Sequence, residues 1–291
     1  MLTVCSKYTV GTIEAKAGNV KLAKLNRDKH IIAFTAKARP DGSIYNPRDD
    51  CKPLTSGRLY DGTFVRHWDE WVTENRNSIW FAAISRDSAE SRFTLSTIRN
   101  ALHGTGLESP IPPFGGKDNY DLSTSGIVFV AKEPRYADRS AFNTKANVYL
   151  IRFIGADNAA DEAPLQIGIP NFKGASTSPV FSPDGQQLAF LSMKENGYEA
   201  DKNHLIVIPN VNRPFWVIHC MPGAQGEGCW DRSPGGVTWS WDSSTIYLTA
   251  EDRGCNCIFS LSAASAAVQV EPKKLISSGS VKGLFLITTD S

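Results

Sequence analysis

Short apolar runs recur along the chain with turn-forming residues between them, and no useful length carries the three-to-four spacing of an amphipathic helix. The clearest unit is Val180-Phe181, then Ser182-Pro183-Asp184-Gly185, then Leu188-Ala189-Phe190-Leu191. Phe181 ends one apolar strand and Pro183 pre-sets φ for a tight turn. Asp184 bonds its own backbone two residues on, and Gly185 accepts a left-handed φ where the next strand leaves. The pattern predicts a hairpin.

The hairpin repeats. Trp239-Ser240-Trp241-Asp242 precedes Thr245–Ala250, with Asp242 standing 58 residues after Asp184. Leu25–His30 precedes Ile31–Ala36 and aligns with the Asp242 unit without a gap, Asp28 in the turn. A worn copy, Asp121–Gly126 before Ile127–Ala131, places Gly126 one period, 59 residues, before Gly185. A self-similar, all-strand unit at this period predicts an all-β chain folded as a β-propeller, one four-stranded sheet per blade. The chain reads as a single propeller region over 1–291, truncated at both ends, with its best-preserved blades at 178–220 and 236–276. Turns are expected at Asp28, Gly126, Asp184-Gly185 and Asp242.

Further strands are expected at Tyr8–Lys16, Asn77–Ile84, Phe93–Ile98, Ala146–Ile154 and His204–Ile208, with a last fragment at Val281–Thr289. Length divided by period predicts about five blades, hence an incomplete ring with free strand edges. Its two end faces, around Tyr8–Ala36 and around Leu284, Phe285 and Ile287, are expected to be apolar and uncovered. Such a chain is expected to be poorly soluble alone or to self-associate end to end.

Composition removes several classes. Basic and acidic residues number 31 and 30, so no nucleic-acid or membrane-surface field is implied. No apolar run is long enough to span a bilayer, Met1–Lys7 does not read as a signal peptide, and no Asn-x-Ser/Thr acceptor occurs, which leaves localisation open. Six cysteines in this length are not a disulfide framework. Cys220 and Cys229 flank a Pro-Gly-rich loop and read either as a local disulfide or as two thiols. Cys255 and Cys257 are read on opposite faces of a strand, unable to share an ion; no metal and no cofactor are expected. The Trp-Asp pairs do not make WD repeats, because the required Gly-His is absent. The tryptophans read mainly as packing between blades, with ligand stacking as the alternative.

Candidate chemistry concentrates in Arg58–Val72, the most aromatic piece of the chain. His67 stands between Arg66 and Trp68-Asp69. Arg66, His67, Trp68 and Asp69 read either as a peptide contact at the propeller's inner mouth or as a structural corner in which Arg66 pairs with Asp69 or Asp61. The other four histidines read as turn, loop or strand-end residues.

The stretch Arg58–Phe81, the unit Phe181–Val207 and the unit Trp230–Arg253 resemble the propeller domain of dipeptidyl peptidase V, in the prolyl oligopeptidase family of serine peptidases. The resemblance covers roughly Tyr8 to Ile276. It implies a propeller that precedes and caps an α/β-hydrolase domain, whose Ser-Asp-His triad removes dipeptides or aminoacyl groups from peptide amino termini. This sequence carries no Gly-x-Ser-x-Gly elbow; Gly174-Ala175-Ser176-Thr177-Ser178 lacks the second glycine. No catalytic residue is therefore assigned, and the chain alone is expected to be inactive. Peptide substrates are expected to meet it only through a missing hydrolase domain, where the propeller gates access. The alternative is an independent propeller acting as an interaction scaffold.

Overall fold

A computed structural model describes residues 7–50, 55–62, 64–86, 92–134, 143–153, 163–220, 229–265 and 270–284. Antiparallel sheets account for its regular structure, with single 3-10 turns at Lys117–Asn119 and Ala263–Ser265. The first blade comprises β1 (Gly18–Lys24), β2 (Lys29–Ala38), β5 (Arg76–Ser85), β6 (Thr94–Leu95) and β7 (Arg99–Asn100); β6 and β7 both pair with β5. A small ribbon, β3 (Arg66–His67) and β4 (Glu70–Trp71), is inserted between β2 and β5. The second blade is β8 (Tyr120–Ser123), β9 (Gly126–Ala131), β10 (Asn147–Arg152) and β11 (Leu165–Gln166). The third is β12 (Ser176–Phe181), β13 (Leu188–Ser192), β14 (His204–Ile208) and β15 (Ile218–His219). The fourth is β16 (Pro234–Trp239), β17 (Thr245–Asp252), β18 (Cys255–Ser262) and β19 (Lys273–Lys274), and in each blade strands pair in chain order.

The first strands β1, β8, β12 and β16 pack on one another in succession and form the inner row of the propeller. Packing joins the first blade to the second, the second to the third and the third to the fourth; among the described strands no comparable packing joins the fourth to the first. The described residues thus form an arc of four blade sheets, where dividing length by period gives about five. Part of the difference is the insertion of residues 39–75, which lengthens the first blade without adding another.

Burial explains the sequence pattern. Middle blades are covered on both faces, so β13 and β14 each carry an unbroken apolar run of four: Leu188, Phe190, Ile206 and Ile208 face the second blade, while Ala189, Leu191, Leu205 and Val207 face the fourth. In β17 the pattern alternates instead. Ile246, Leu248 and Ala250 face the third blade, and Thr245, Tyr247 and Thr249 are only half-buried on the other side. The fourth blade thus turns a largely polar face outward, while most of the segment expected to carry the apolar end face, Val281–Thr289, falls outside the described residues. On the first blade, Phe34, Ala36 and Trp80 are covered by Ile13 and Ala15, while Val20 and Leu22 stay exposed. Tyr8–Lys16, expected as a strand, lies against this blade without pairing; Tyr8 Oη accepts a hydrogen bond from Phe93 N–H at 2.9 Å. Phe285 and Ile287 lie outside the described residues.

All four expected turns stand where the repeat places them, at one end of the arc, and the shared Ser-x-Asp has a chemical reason. Asp184 Oδ1 accepts from Ser182 Oγ at 2.5 Å and from Gln186 N–H at 3.0 Å. Asp242 Oδ1 accepts from Ser240 Oγ at 2.6 Å and Ser244 N–H at 3.1 Å, and these hydrogen bonds hold its carboxyl down to about 2. The turns also stitch blades together. Ser125 Oγ donates to the Gly185 carbonyl at 2.8 Å, and Gln187 Nε2 to the Ser243 carbonyl at 3.3 Å.

Asp121 ties three blades. Its carboxylate accepts from Lys21 Nζ at 2.9 Å and from Phe181 N–H at 2.9 Å. Asp121→Ala should lower unfolding free energy by about 2 kcal/mol, since it strands a partly buried backbone donor. Asp121→Asn, which keeps an acceptor for Phe181, should lose less. Urea midpoints of the two variants check this; equal losses would assign the whole effect to the Lys21 ion pair.

Candidate functional site

Because successive strands reverse, the tight turns occupy one end of the propeller and the β2–β5, β9–β10 and β13–β14 connections the other. The insertion of residues 39–75 therefore lies opposite the repeat turns. Its ribbon pairs Arg66 with Trp71 and His67 with Glu70, leaving Trp68 and Asp69 as a two-residue loop. Trp68 adopts φ +51°, and Arg66 Nε donates to its carbonyl at 2.9 Å. The guanidinium groups of Arg58 and Arg66 each stand 5.6 Å from the Trp71 ring. Tyr60 stacks on Trp71 with ring centroids 6.4 Å apart, and Phe64 meets His67 edge-on at 5.3 Å.

Beneath this aromatic arch lies a cleft of ≈ 450 Å³, within the size range of small-ligand sites. Six segments line it: Lys37 on β2, the stretch before the ribbon (Tyr60, Phe64), the ribbon (His67, Glu70, Trp71), the start of β5 (Arg76, Asn77), the Gly106–Pro113 crossing to the second blade, and Lys132–Pro134 after β9. Glu133 is its most enclosed acid, and Glu108 follows at 24% side-chain exposure. Glu108 Oε1 accepts from Asn77 N–H at 2.9 Å, and Oε2 stands 3.9 Å from Arg76 Nη1. Burial raises its carboxyl above the usual range, with the Asn77 hydrogen bond and Arg76 opposing. Glu133 is engaged by Lys145 Nζ at 3.4 Å and Asn147 Nδ2 at 3.1 Å. Lys132 donates to the Asn143 carbonyl at 2.8 Å and is pushed down by burial. Burial, then the charge of Lys132, lowers His67, which keeps its imidazole neutral near pH 7. The Tyr60 hydroxyl is buried without a hydrogen-bond partner among the described residues.

Of the four residues singled out in sequence, only His67 lines the cleft. Trp68, the next residue in the ribbon, is exposed, as are Arg66 and Asp69. Among the described residues no ion pair joins Arg66 to Asp61 or Asp69; Arg66 braces the Trp68 carbonyl and the Trp71 ring instead. Glu108, Lys132 and Tyr60 are not legible as site residues in the sequence. The one signal it offers is the clustering of prolines and glycines around Glu108, which marks a crossing between blades.

Elsewhere, the two histidines read as strand ends are bonded to each other. His219 Nε2 and His204 Nδ1 lie 3.1 Å apart, with the Phe172 ring edge-on to both. Cys220 and Cys229 are free thiols rather than a disulfide; burial raises the Cys220 thiol far above its usual range. The opposite-face reading of Cys255 and Cys257 is corrected: two residues apart in β18 they share a face, and both pack on the core between the third and fourth blades. No cluster of three metal-ligating side chains occurs among the described residues. Trp80, Trp230 and Trp239 are buried, but Trp68, Trp71, Trp216 and Trp241 are exposed, so packing accounts for fewer than half of the tryptophans.

Curated relatives place this architecture. Dipeptidyl-peptidase 5 of Aspergillus fumigatus is 32% identical over 98% of this chain and 39% of its own length. A probable dipeptidyl-peptidase 5 of Aspergillus clavatus is 33% identical over 95% of this chain and 36% of its own, and the Trichophyton schoenleinii protein is 31% identical over 96% and 38%. This chain is homologous to one part of the dipeptidyl-peptidase 5 proteins. It spans less than two-fifths of the length of those relatives. No family model matches the chain. Among solved structures, a family 117 glycoside hydrolase from Zobellia galactanivorans aligns over 92% of this chain and 71% of its own at 14% identity, with a TM-score of 0.42, too low to add to the argument. The dipeptidyl-peptidase 5 relationship covers the blade-1 insertion as well as the repeats, since the aligned region takes in nearly the whole chain.

Proposed function

We propose that the chain is the non-catalytic, peptide-receiving propeller portion of a dipeptidyl-peptidase 5-like serine peptidase, and that the blade-1 cleft takes the amino-terminal end of a short peptide. The observation that carries this reading is that one cavity of ≈ 450 Å³ is lined by both the largely buried carboxylate of Glu108 and the imidazole of His67. Glu108 has one short hydrogen bond, from Asn77 N–H, and lone pairs to spare. Burial outweighs the opposing charges of Arg76 and Lys37, so the ionised form stays under-stabilised, and an incoming α-ammonium adds charge-assisted hydrogen bonds beyond the 3.9 Å Arg76 contact. His67 offers a neutral donor or acceptor to the first peptide group. A cavity of this size admits a chain end and excludes folded surface, which is the gating role. The peptide contact at the ribbon thus falls to His67 and Trp68, with Arg66 and Asp69 outside it.

Calorimetric titration of the chain with a tripeptide, free or N-acetylated, tests this. The free amine should bind about tenfold more tightly, the scale of one charge-assisted hydrogen bond. Glu108→Gln should abolish the difference. Equal affinity for both forms in the unmodified chain would overturn the assignment.

A further inference from the structure

We infer that Trp68 and Phe114 form an aromatic lip on this cleft that selects peptides by the side chains following the bound amino terminus, favouring aromatic and large aliphatic ones. The inference rests on the peptide reading of the cleft and adds its specificity.

Trp68 is 68% exposed and Phe114 75% exposed, yet their ring centroids lie 5.2 Å apart at 55°. They come from segments far apart in the chain, the ribbon tip and the Pro-rich crossing. Neither belongs to a core cluster of the first blade or the first interblade seam. Each is next to residues that line the cleft, His67 on one side and Pro113 on the other, so the pair stands at the mouth.

The backbone at Trp68 makes incidental placement a poor account. A bulky residue at φ +51° is strained, and a two-residue hairpin loop of this kind favours Asn or Gly. Gly at this position would form the turn without strain. Three contacts hold the strained conformation: the β3–β4 pairing, the Arg66 Nε bond to the Trp68 carbonyl, and the Phe114 ring. Strain maintained this way at an exposed position points to use of the ring.

The ligand chemistry follows. A peptide extends about 3.5 Å per residue, so with its first residue inside the cleft the next side chains emerge at the mouth. Two tilted rings leave faces and edges open to a third aromatic or aliphatic group. Charged or small polar side chains gain nothing there.

The test compares Ala-Phe-Phe with Ala-Ser-Ser, both with free amines, on the 291-residue chain and on Trp68→Gly. The unmodified chain should favour Ala-Phe-Phe by about five- to tenfold, and Trp68→Gly should bring the two within about twofold. The thermal midpoint of Trp68→Gly should be unchanged or higher, because glycine adopts this φ freely. A preference that survives in Trp68→Gly, with discrimination against the N-acetylated peptide intact, would overturn the lip and leave the cleft standing. A sharp fall in the thermal midpoint would overturn it too, by making the ring a packing element. If neither peptide binds the unmodified chain, the peptide reading of the cleft fails and the lip with it.

Discussion

Gly126→Ala should cost about 3–5 kcal/mol, a large part of the roughly 5–15 kcal/mol that holds a typical domain together. Gly126 opens β9 directly after the Thr124-Ser125 turn, at φ +155°, where side-chain-bearing residues are rare. An added Cβ would stand 2.1 Å from the Ile151 carbonyl oxygen, and Gly126 is paired with Arg152 in the neighbouring strand. The obstacle is backbone in the middle of a blade, so it has little room to give. Relief requires β9 and β10 to part, and with them the apolar residues Val128, Val130, Val148 and Leu150 that seal the seam with the third blade. Urea titration followed by tryptophan fluorescence reads the loss. Gly168→Ala is the matched control, since a Cβ added there would meet nothing within 4 Å. It should stay within about 0.5 kcal/mol of the parent. Equal midpoints for the two variants would show that the second blade tolerates a strand shift the packing argument forbids.

Acidification from pH 6.5 to pH 4 should destabilise the third blade by up to about 3 kcal/mol through the His204–His219 pair. Burial lowers His204 from 6.5 to about 4, with the charges of His219, Lys202 and Lys194 adding to the shift and Asp201 opposing it; burial, then Lys194 and Lys202, lowers His219 as well. The unfolded chain therefore binds more protons than the folded one between pH 6.5 and 4. Stability contributed by the neutral pair is fully present above pH 6.5 and is lost as pH falls through that window. Carboxylates such as Asp242, held down to about 2, lose their contribution at lower pH, which separates the two effects. The double variant His204→Phe/His219→Phe should flatten the dependence of the urea midpoint between pH 6.5 and 4. An unchanged slope in that variant would place the acid sensitivity elsewhere.

The repeat is legible because it is local chemistry. Asp184 and Asp242 announce their turns through side chains that bond backbone two residues away, and no distant residue is needed for that. The strands between are legible because both faces of β13 and β14 are covered, which forces an unbroken apolar run. The same rule applies to Thr245–Ala250, whose alternation marks one face of the fourth blade as polar. Blade number is less accessible, because an insertion such as residues 39–75 consumes length without changing the period of the hairpins around it.

The candidate site divides along the same line. Sequence by itself determined the turn chemistry, the all-strand period and the unusual ribbon containing His67, since each depends on neighbours within a few residues. Only the tertiary structure decided that Glu108, from the crossing between blades, and Lys132, from just after β9, line one cleft with His67, and that Arg66 and Asp69 stay outside it. It also joined His204 to His219 across a strand pair and set Phe114 against Trp68. Those meetings are fixed by how blades pack and where crossings land. A carboxylate becomes a binding group here through the burial that raises its pKa, and burial is a property of the assembled blades.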